Sequence, residues 1–238
     1  MVNTNSYAIQ QEDLEVLKFF GDRPGVFVEA GANHPVEASQ TYLLELRGWR
    51  GVLIEPNPEL ARLCRELRPA SQTFDCAVVE PNHPTPVQMR IPSRSNSRNA
   101  SISAGVENRH DGDEFFECEA RTLDSILEDS GLDQIDFFSI DLEGYEAAAL
   151  RGFAWDRWRP RLISVEDHCE DLDTHRLVSS RGYKLVRRIG DNHWYVPQSS
   201  PISLTFQDRL KFLRKLYLSL PLRKLRKLSQ QLRGHEEG

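Results

Sequence analysis

Acidic residues recur where short apolar runs end. Glu29 closes "GVFVEAG" (25–31), Glu55 closes "RGVLIEPN" (50–57), Asp141 and Glu143 follow "IDFFSI" (135–140), and Glu166 and Asp167 fall in "RLISVEDH" (161–168). A sheet buried on both faces has no structural need of carboxylates at its strand ends, so their repetition points to a ligand. A carboxylate can accept from both hydroxyls of a ribose, and several together offer hard oxygen ligands to a divalent cation. Asp141 also has a plainer role open to it. It precedes the helical pattern "YEAAALRGF", and acids are favoured at helix N-termini as caps.

The first two acids define the kind of ligand. Gly31 permits a tight turn and a close backbone approach, and Glu55 lies 26 residues after Glu29. A glycine turn followed by an acid at the end of the next strand suits an adenosine-type ligand. The loop continues as Ala32, Asn33, His34 and Pro35, however, without the glycines that bring backbone amides onto a pyrophosphate. An adenosyl ligand without phosphates, S-adenosylmethionine above all, fits it better than a nicotinamide dinucleotide.

These residues need a scaffold that gathers strand ends. Continuous apolar runs at 25–31, 50–57, 73–80, 135–144 and 161–168 predict strands buried on both faces, as in a parallel sheet. Helical patterns lie between them: "EASQTYLLELRGW", "PELARLCRELR", "TLDSILEDSGL" and "YEAAALRGF". Strand–helix alternation implies an α/β, doubly wound, mostly parallel sheet. "YKLVRRIG" and "HWYVP", joined by "GDN", predict a terminal antiparallel hairpin. Residues 81–120, rich in Pro, Ser and Asn, break the rhythm. They read as an insertion with strands at "PVQMRI" and "FFECEA", lying over the ligand end of the sheet or forming an extra hairpin, and shaping acceptor choice.

Composition bounds the rest. The 238 residues suit one large domain, placed at 1–205, with a basic amphipathic tail at 206–238. No apolar run approaches the roughly 20 residues of a membrane span, and the first residues lack a secretory pattern. Cys64, Cys76, Cys118 and Cys169 are scattered, which reads as reduced thiols in a cytoplasmic protein. The net charge of −6 divides into +7 over 209–238 (nine Lys/Arg, two Glu) and therefore −13 over 1–208, so the body is expected to bind no nucleic acid. In the tail, Leu210, Leu213, Leu216, Tyr217 and Leu220 fall at helical spacing, and Pro221 separates two helices. The tail reads equally as an anchor on the inner face of an anionic membrane and as a helix packed on the body or on a second subunit.

The segments "VFVEAGANHP", "GVLIEPNPEL", "CAVVEP", "RTLDSIL", "IDFFSIDLEGYEAAAL" and "PRLISVEDH" resemble, in that order, the FkbM family of S-adenosylmethionine-dependent methyltransferases. The family often has Asp at the position of Glu29 and a small residue at that of Pro35. The resemblance implies a Rossmann-like class I methyltransferase fold acting on hydroxyls of sugars or natural products. It implies that Glu29, Gly31, Ala32 and Asn33 line the methionine side of the cofactor. Glu55, with Pro56 beside it, would hold the ribose, and Asp75, Cys76 and Ala77 would flank the adenine. Asp141 would face the reacting centre.

Methylating a hydroxyl of a sugar, glycolipid or glycosylated metabolite requires alignment with the sulfonium and a base, a metal, or both. Asp141, Glu166 and Asp167 are the expected ligands of Mg²⁺, an arrangement similar to that of metal-dependent macrolide-sugar O-methyltransferases. His168 is the candidate base, and His34, facing the cofactor loop, is its rival. Glu143 would act as a further ligand or hold the turn. A non-catalytic, membrane-associated assembly protein that retains the fold is the alternative of a different class.

Overall fold

The computed structural model describes residues 5–21, 23–93, 100–102, 111–167 and 172–214. In chain order the strands are β1 (Val26–Ala30), β2 (Arg50–Ile54), β3 (Gln72–Phe74), β4 (Ala77–Val78), β5 (Val87–Ile91), β6 (Ser101–Ile102), β7 (Glu114–Cys118), β8 (Ala120–Arg121), β9 (Phe137–Ile140), β10 (Leu162–Glu166), β11 (Tyr183–Ile189) and β12 (Asn192–Pro197). The helices are α1 (Glu12–Phe20), α2 (Tyr42–Leu46), α3 (Pro58–Leu67), α4 (Leu123–Ser130), α5 (Glu146–Arg151), α6 (Asp173–Ser180) and α7 (Phe206–Arg214).

Seven strands form one sheet in the order β3-β2-β1-β9-β10-β12-β11. The first five run parallel, while β12 lies antiparallel between β10 and β11. This is the expected doubly wound sheet with its terminal hairpin. Side chains alternate across each strand, so two cores form. Val28, Phe138 and Ile163 pack on α4 and α5 through Leu123, Ile126 and Leu150. Phe27, Phe137 and Leu162 face α1, α2 and α3 through Val16, Leu44 and Cys64. Helix starts follow local chemistry: the Asn57 side chain accepts from Glu59 N–H with Pro58 opening α3, and Thr122 caps α4 by accepting from Ser125 N–H.

The chain order reverses between β1 and β9, and their carboxyl ends flank the crevice where open α/β sheets take ligands. The apolar run at 73–80 is divided rather than forming one strand. β3 joins the main sheet, and β4 pairs with β8 in a separate two-stranded ladder. β5 and β7 occur where the insertion's strands were expected, and with β6 they make a three-stranded antiparallel sheet. α1 escapes the sequence reading. It packs on the second core through Val16.

Candidate active site

A cleft opens at the carboxyl ends of β1, β2 and β9. Gly31 and Asn33 line it from the turn after β1, Glu55 and Pro56 from the end of β2, and Cys76, Ala77 and Val78 from the turn into β4. Asp141, Leu142, Glu143 and Tyr145 form its far wall. Met89, Ala100 and Ile102 from the inserted sheet also line it, so the insertion borders the ligand end of the main sheet. These last residues carry no signal beyond apolar alternation.

Backbone geometry explains Gly31. Its φ is +86°, and a Cβ there would overlap the Asp141 carbonyl oxygen. The glycine is therefore needed for the close approach of the two turns that bound the crevice, as well as for a tight turn. The turn delivers Asn33 N–H to Glu55 Oε2 at 2.7 Å, while Asn57 N–H donates to Glu55 Oε1 at 2.8 Å. Burial pushes the Glu55 carboxyl up to about 7 despite these two donors.

Glu29, expected beside the cofactor, lies outside the cleft lining. It shares a face with Phe27 and points into the layer of α2 and α3, where it accepts from Thr41 Oγ1 (2.6 Å) and Gln40 N–H (3.2 Å). The fully buried Arg68 lies 4.0 Å away and also donates to Glu45 at 2.7 Å. Burial raises the Glu29 pKa, and the Arg68 charge opposes that rise. Ala32 packs in the second core, and the Asp75 carboxylate pairs with Arg65 at 2.6 Å. Neither lines the cleft. The His34 Nδ1 accepts the N–H groups of Val36 and Glu37, at 3.3 and 3.0 Å. These bonds tie the ring to its own turn, and His34 is not among the residues that line the cleft. His168 lies outside the described residues.

Asp141 extends β9, its N–H donating to Ala30 O at 2.9 Å. It does not cap α5, whose N-cap is Tyr145. The turn is held instead by Glu146, whose Oε1 accepts from Leu142 N–H (2.8 Å) and Gly144 N–H (3.0 Å), a role the sequence suggested for Glu143. Glu143 itself is exposed at the cleft, with φ +53°.

Ligand oxygens of Asp141, Glu146 and Glu166 lie within 4.8 Å of one another. Burial first, and then the neighbouring Glu166 carboxylate, raises the Asp141 pKa. Burial also raises that of Glu166, and the two groups hydrogen-bond to each other. Asp141 Oδ1 is nevertheless buried with no hydrogen-bond partner in the structure.

Asp167, expected as the third ligand, is turned to the opposite face of the sheet. Its Oδ2 lies 3.2 Å from Nδ1 of the fully buried His193, a histidine to which the sequence assigned no role. Adjacent residues on an extended chain point opposite ways, so Glu166 and Asp167 could not both face Asp141. Glu146 fills the place from the first turn of α5.

The Methyltransferase FkbM domain matches residues 29–185, a span that opens on Glu29 and contains every carboxylate of the cleft. The chain belongs to the FkbM methyltransferase family. No curated protein matches it. The FkbM methyltransferase of Methylobacillus flagellatus KT is 18% identical, with a TM-score of 0.45 over 73% of this chain and 44% of that one. Monomeric WbdD is 11% identical, with a TM-score of 0.45 over 82% of this chain and 41% of that one. An O-methyltransferase from Bacillus cereus in complex with SAH is 13% identical, with a TM-score of 0.45 over 82% of this chain and 84% of that one. The chain thus spans less than half the length of the first two. Within the FkbM match, the described cysteines Cys64, Cys76 and Cys118 are buried free thiols pushed up to about 12, 12 and 11 by burial, unsuited to nucleophilic work. Among the described residues, no helix is long and apolar enough to cross a membrane.

Proposed function

We propose that the cleft binds S-adenosylmethionine and that the methyl group passes to a hydroxyl of a sugar, glycolipid or glycosylated metabolite. The observation that carries this reading is the placement of Glu55 and Asp141 on opposite sides of one cleft. Each Glu55 oxygen takes one backbone N–H and so has capacity for one ribose hydroxyl. Cys76, Ala77, Val78 and Met89 offer an apolar slot to the adenine, and Gly31 and Asn33 face the methionine portion. Asp141 then stands at the sulfonium end. FkbM membership displaces the nicotinamide-dependent oxidoreductase reading, and the loop after β1 lacks the glycines a dinucleotide requires.

In the proposed reaction the acceptor oxygen forms a bond to the methyl carbon as the carbon–sulfur bond breaks. The bonding pair goes to sulfur, and S-adenosylhomocysteine leaves as a neutral thioether. The hydroxyl proton goes to the Asp141–Glu166 pair. Two carboxylates this close do not both ionise readily, and a raised pKa matches a carboxylate better to proton transfer near neutrality. Asp141, Glu146 and Glu166 also fit a hard divalent cation such as Mg²⁺: the donors are all oxygen, and Asp141 Oδ1 is buried without a partner. Bound there, Mg²⁺ would polarise an acceptor hydroxyl and lower its pKa.

Calorimetric titration with S-adenosylhomocysteine tests the cofactor half. Ribose hydroxyls donate to the ionised Glu55, so binding requires loss of the proton held up to about 7. Affinity is expected to fall about tenfold from pH 8 to pH 6. Glu55→Gln is expected to bind roughly 30-fold more weakly at pH 8, about 2 kcal/mol, with a flat pH profile. Undiminished binding by Glu55→Gln would remove the ribose assignment.

The metal half is read by melting temperature during Mg²⁺ titration. Stabilisation of the wild type and none of Asp141→Asn is the expected pair of results. Equal responses would exclude Asp141 as a ligand. A panel of glycan acceptors, scored by S-adenosylhomocysteine formation, then assigns the hydroxyl.

A further inference from the structure

We infer that α7 docks the protein on an anionic lipid surface, lying along the bilayer rather than crossing it. This helix is already fixed to the body by one face. Phe212 packs with its ring centroid 5.3 Å from His175 and 6.2 Å from His193, and Asp208 is buried. Thr205 and Asp208 close its first turn reciprocally: the Thr205 hydroxyl donates to Asp208 Oδ2 at 2.6 Å, and Asp208 N–H donates to Thr205 Oγ1 at 3.1 Å.

The face turned away from the body is apolar. Phe206 is 76% exposed, Leu210 51% and Leu213 46%. At about 100° per residue these three fall in a stripe roughly 60° wide, flanked by the exposed Arg209 and Arg214. An apolar stripe bordered by cations is the pattern of a helix lying in a lipid interface.

Charge selects the occupant. Residues 209–238 carry nine Lys/Arg against two Glu, while 1–208 carries −13. An anionic surface therefore repels the body as a whole and attracts this end of the chain. The sequence continues the same alternation through Leu216, Leu220, Leu225 and Leu228 among Lys215, Arg223, Lys224, Arg226 and Lys227. Packing on the protein's own body is already supplied by the Phe212 face, so the body leaves the opposite stripe uncovered. A second copy is the weaker fit, because three side chains offer far less than the roughly 1,200 Å² of total buried surface typical of a stable interface. A lipid surface requires no such complementarity.

Co-sedimentation of the full chain with vesicles tests the inference. The protein is expected to pellet with vesicles of phosphatidylcholine and phosphatidylglycerol in equal parts at low salt, and to remain in solution with phosphatidylcholine alone. Binding should fall at least about tenfold in 0.5 M NaCl and in the triple variant Phe206→Ser/Leu210→Ser/Leu213→Ser. All three positions are exposed, so an unchanged melting temperature separates lost docking from lost folding. A wild-type chain that stays in solution with anionic vesicles at low salt overturns the inference, as does a triple variant that pellets equally well. The first of these results, joined to a dimer-to-monomer change in the triple variant, would assign the face to a second copy.

Discussion

Gly31→Ala is expected to destabilise the protein by roughly 4 kcal/mol and to abolish S-adenosylhomocysteine binding. Two costs combine. A non-glycine residue at φ +86° carries backbone strain of about 1–2 kcal/mol. The added methyl group also overlaps the Asp141 carbonyl oxygen, which is backbone and has no rotamer in which to retreat. Relief requires β1 and β9 to separate at their carboxyl ends, the motion that would open the crevice. Gly144→Ala is the internal control. Gly144 has φ +96° but nothing within 4 Å of an added Cβ, so it should lose only the strain. Urea unfolding of both variants provides the measurement, and equal losses would show that the close approach of the two turns is unimportant.

Arg68→Ala is expected to cost about 3–5 kcal/mol, well beyond the loss of an exposed ion pair. The guanidinium is fully buried, bonds Glu45, Pro35 O and Thr41 Oγ1, and lies beside Glu29. Its removal takes the neighbouring cation from two carboxylates held largely out of water. The sign with pH follows from Glu29, whose folded-state pKa is raised by burial. A carboxyl of this kind contributes stability below its unfolded pKa and loses it as pH rises through the folded value. Without Arg68 that loss deepens, so the variant's deficit should grow as pH rises. Arg68→Met combined with Glu45→Leu should recover part of the loss, because it removes a charge together with its partner. Urea unfolding at pH 5 and pH 8 decides the matter, and a pH-independent deficit below 1 kcal/mol would contradict the account.

These two residues also mark where sequence reading succeeds and where it stops. The strands were legible because burial on both faces demands continuous apolar runs, and the ligand end was legible because acids closed those runs. Gly31, Asn33, Glu55, Pro56, Cys76, Ala77 and Asp141 accordingly line one cleft. Glu29 misleads because its partner, Arg68, is 39 residues away and on another element. An acid at a strand end can face a ligand or a buried cation, and the acid alone does not distinguish the two. Its shared parity with Phe27 was the available clue. Parity likewise separates Glu166 from Asp167. Glu146 was harder to read, because its part in the cluster depends on how α5 leaves the turn after Asp141. The insertion's contribution of Met89, Ala100 and Ile102 depends on how a second sheet seats against the first, which no local pattern encodes.

The position of β12 bears on how the chain is made. Synthesis runs from the N-terminus, and every carboxylate of the cleft has emerged by Glu166. The strand that separates β10 from β11 is the last of the seven to appear, with His193–Val196 fully enclosed once it is in place. Until then β10 presents an open hydrogen-bonding edge, and β11 has no neighbour within the sheet. A growing polypeptide therefore carries all the residues that line the cleft before it has the strand that joins β11 to the rest of the sheet.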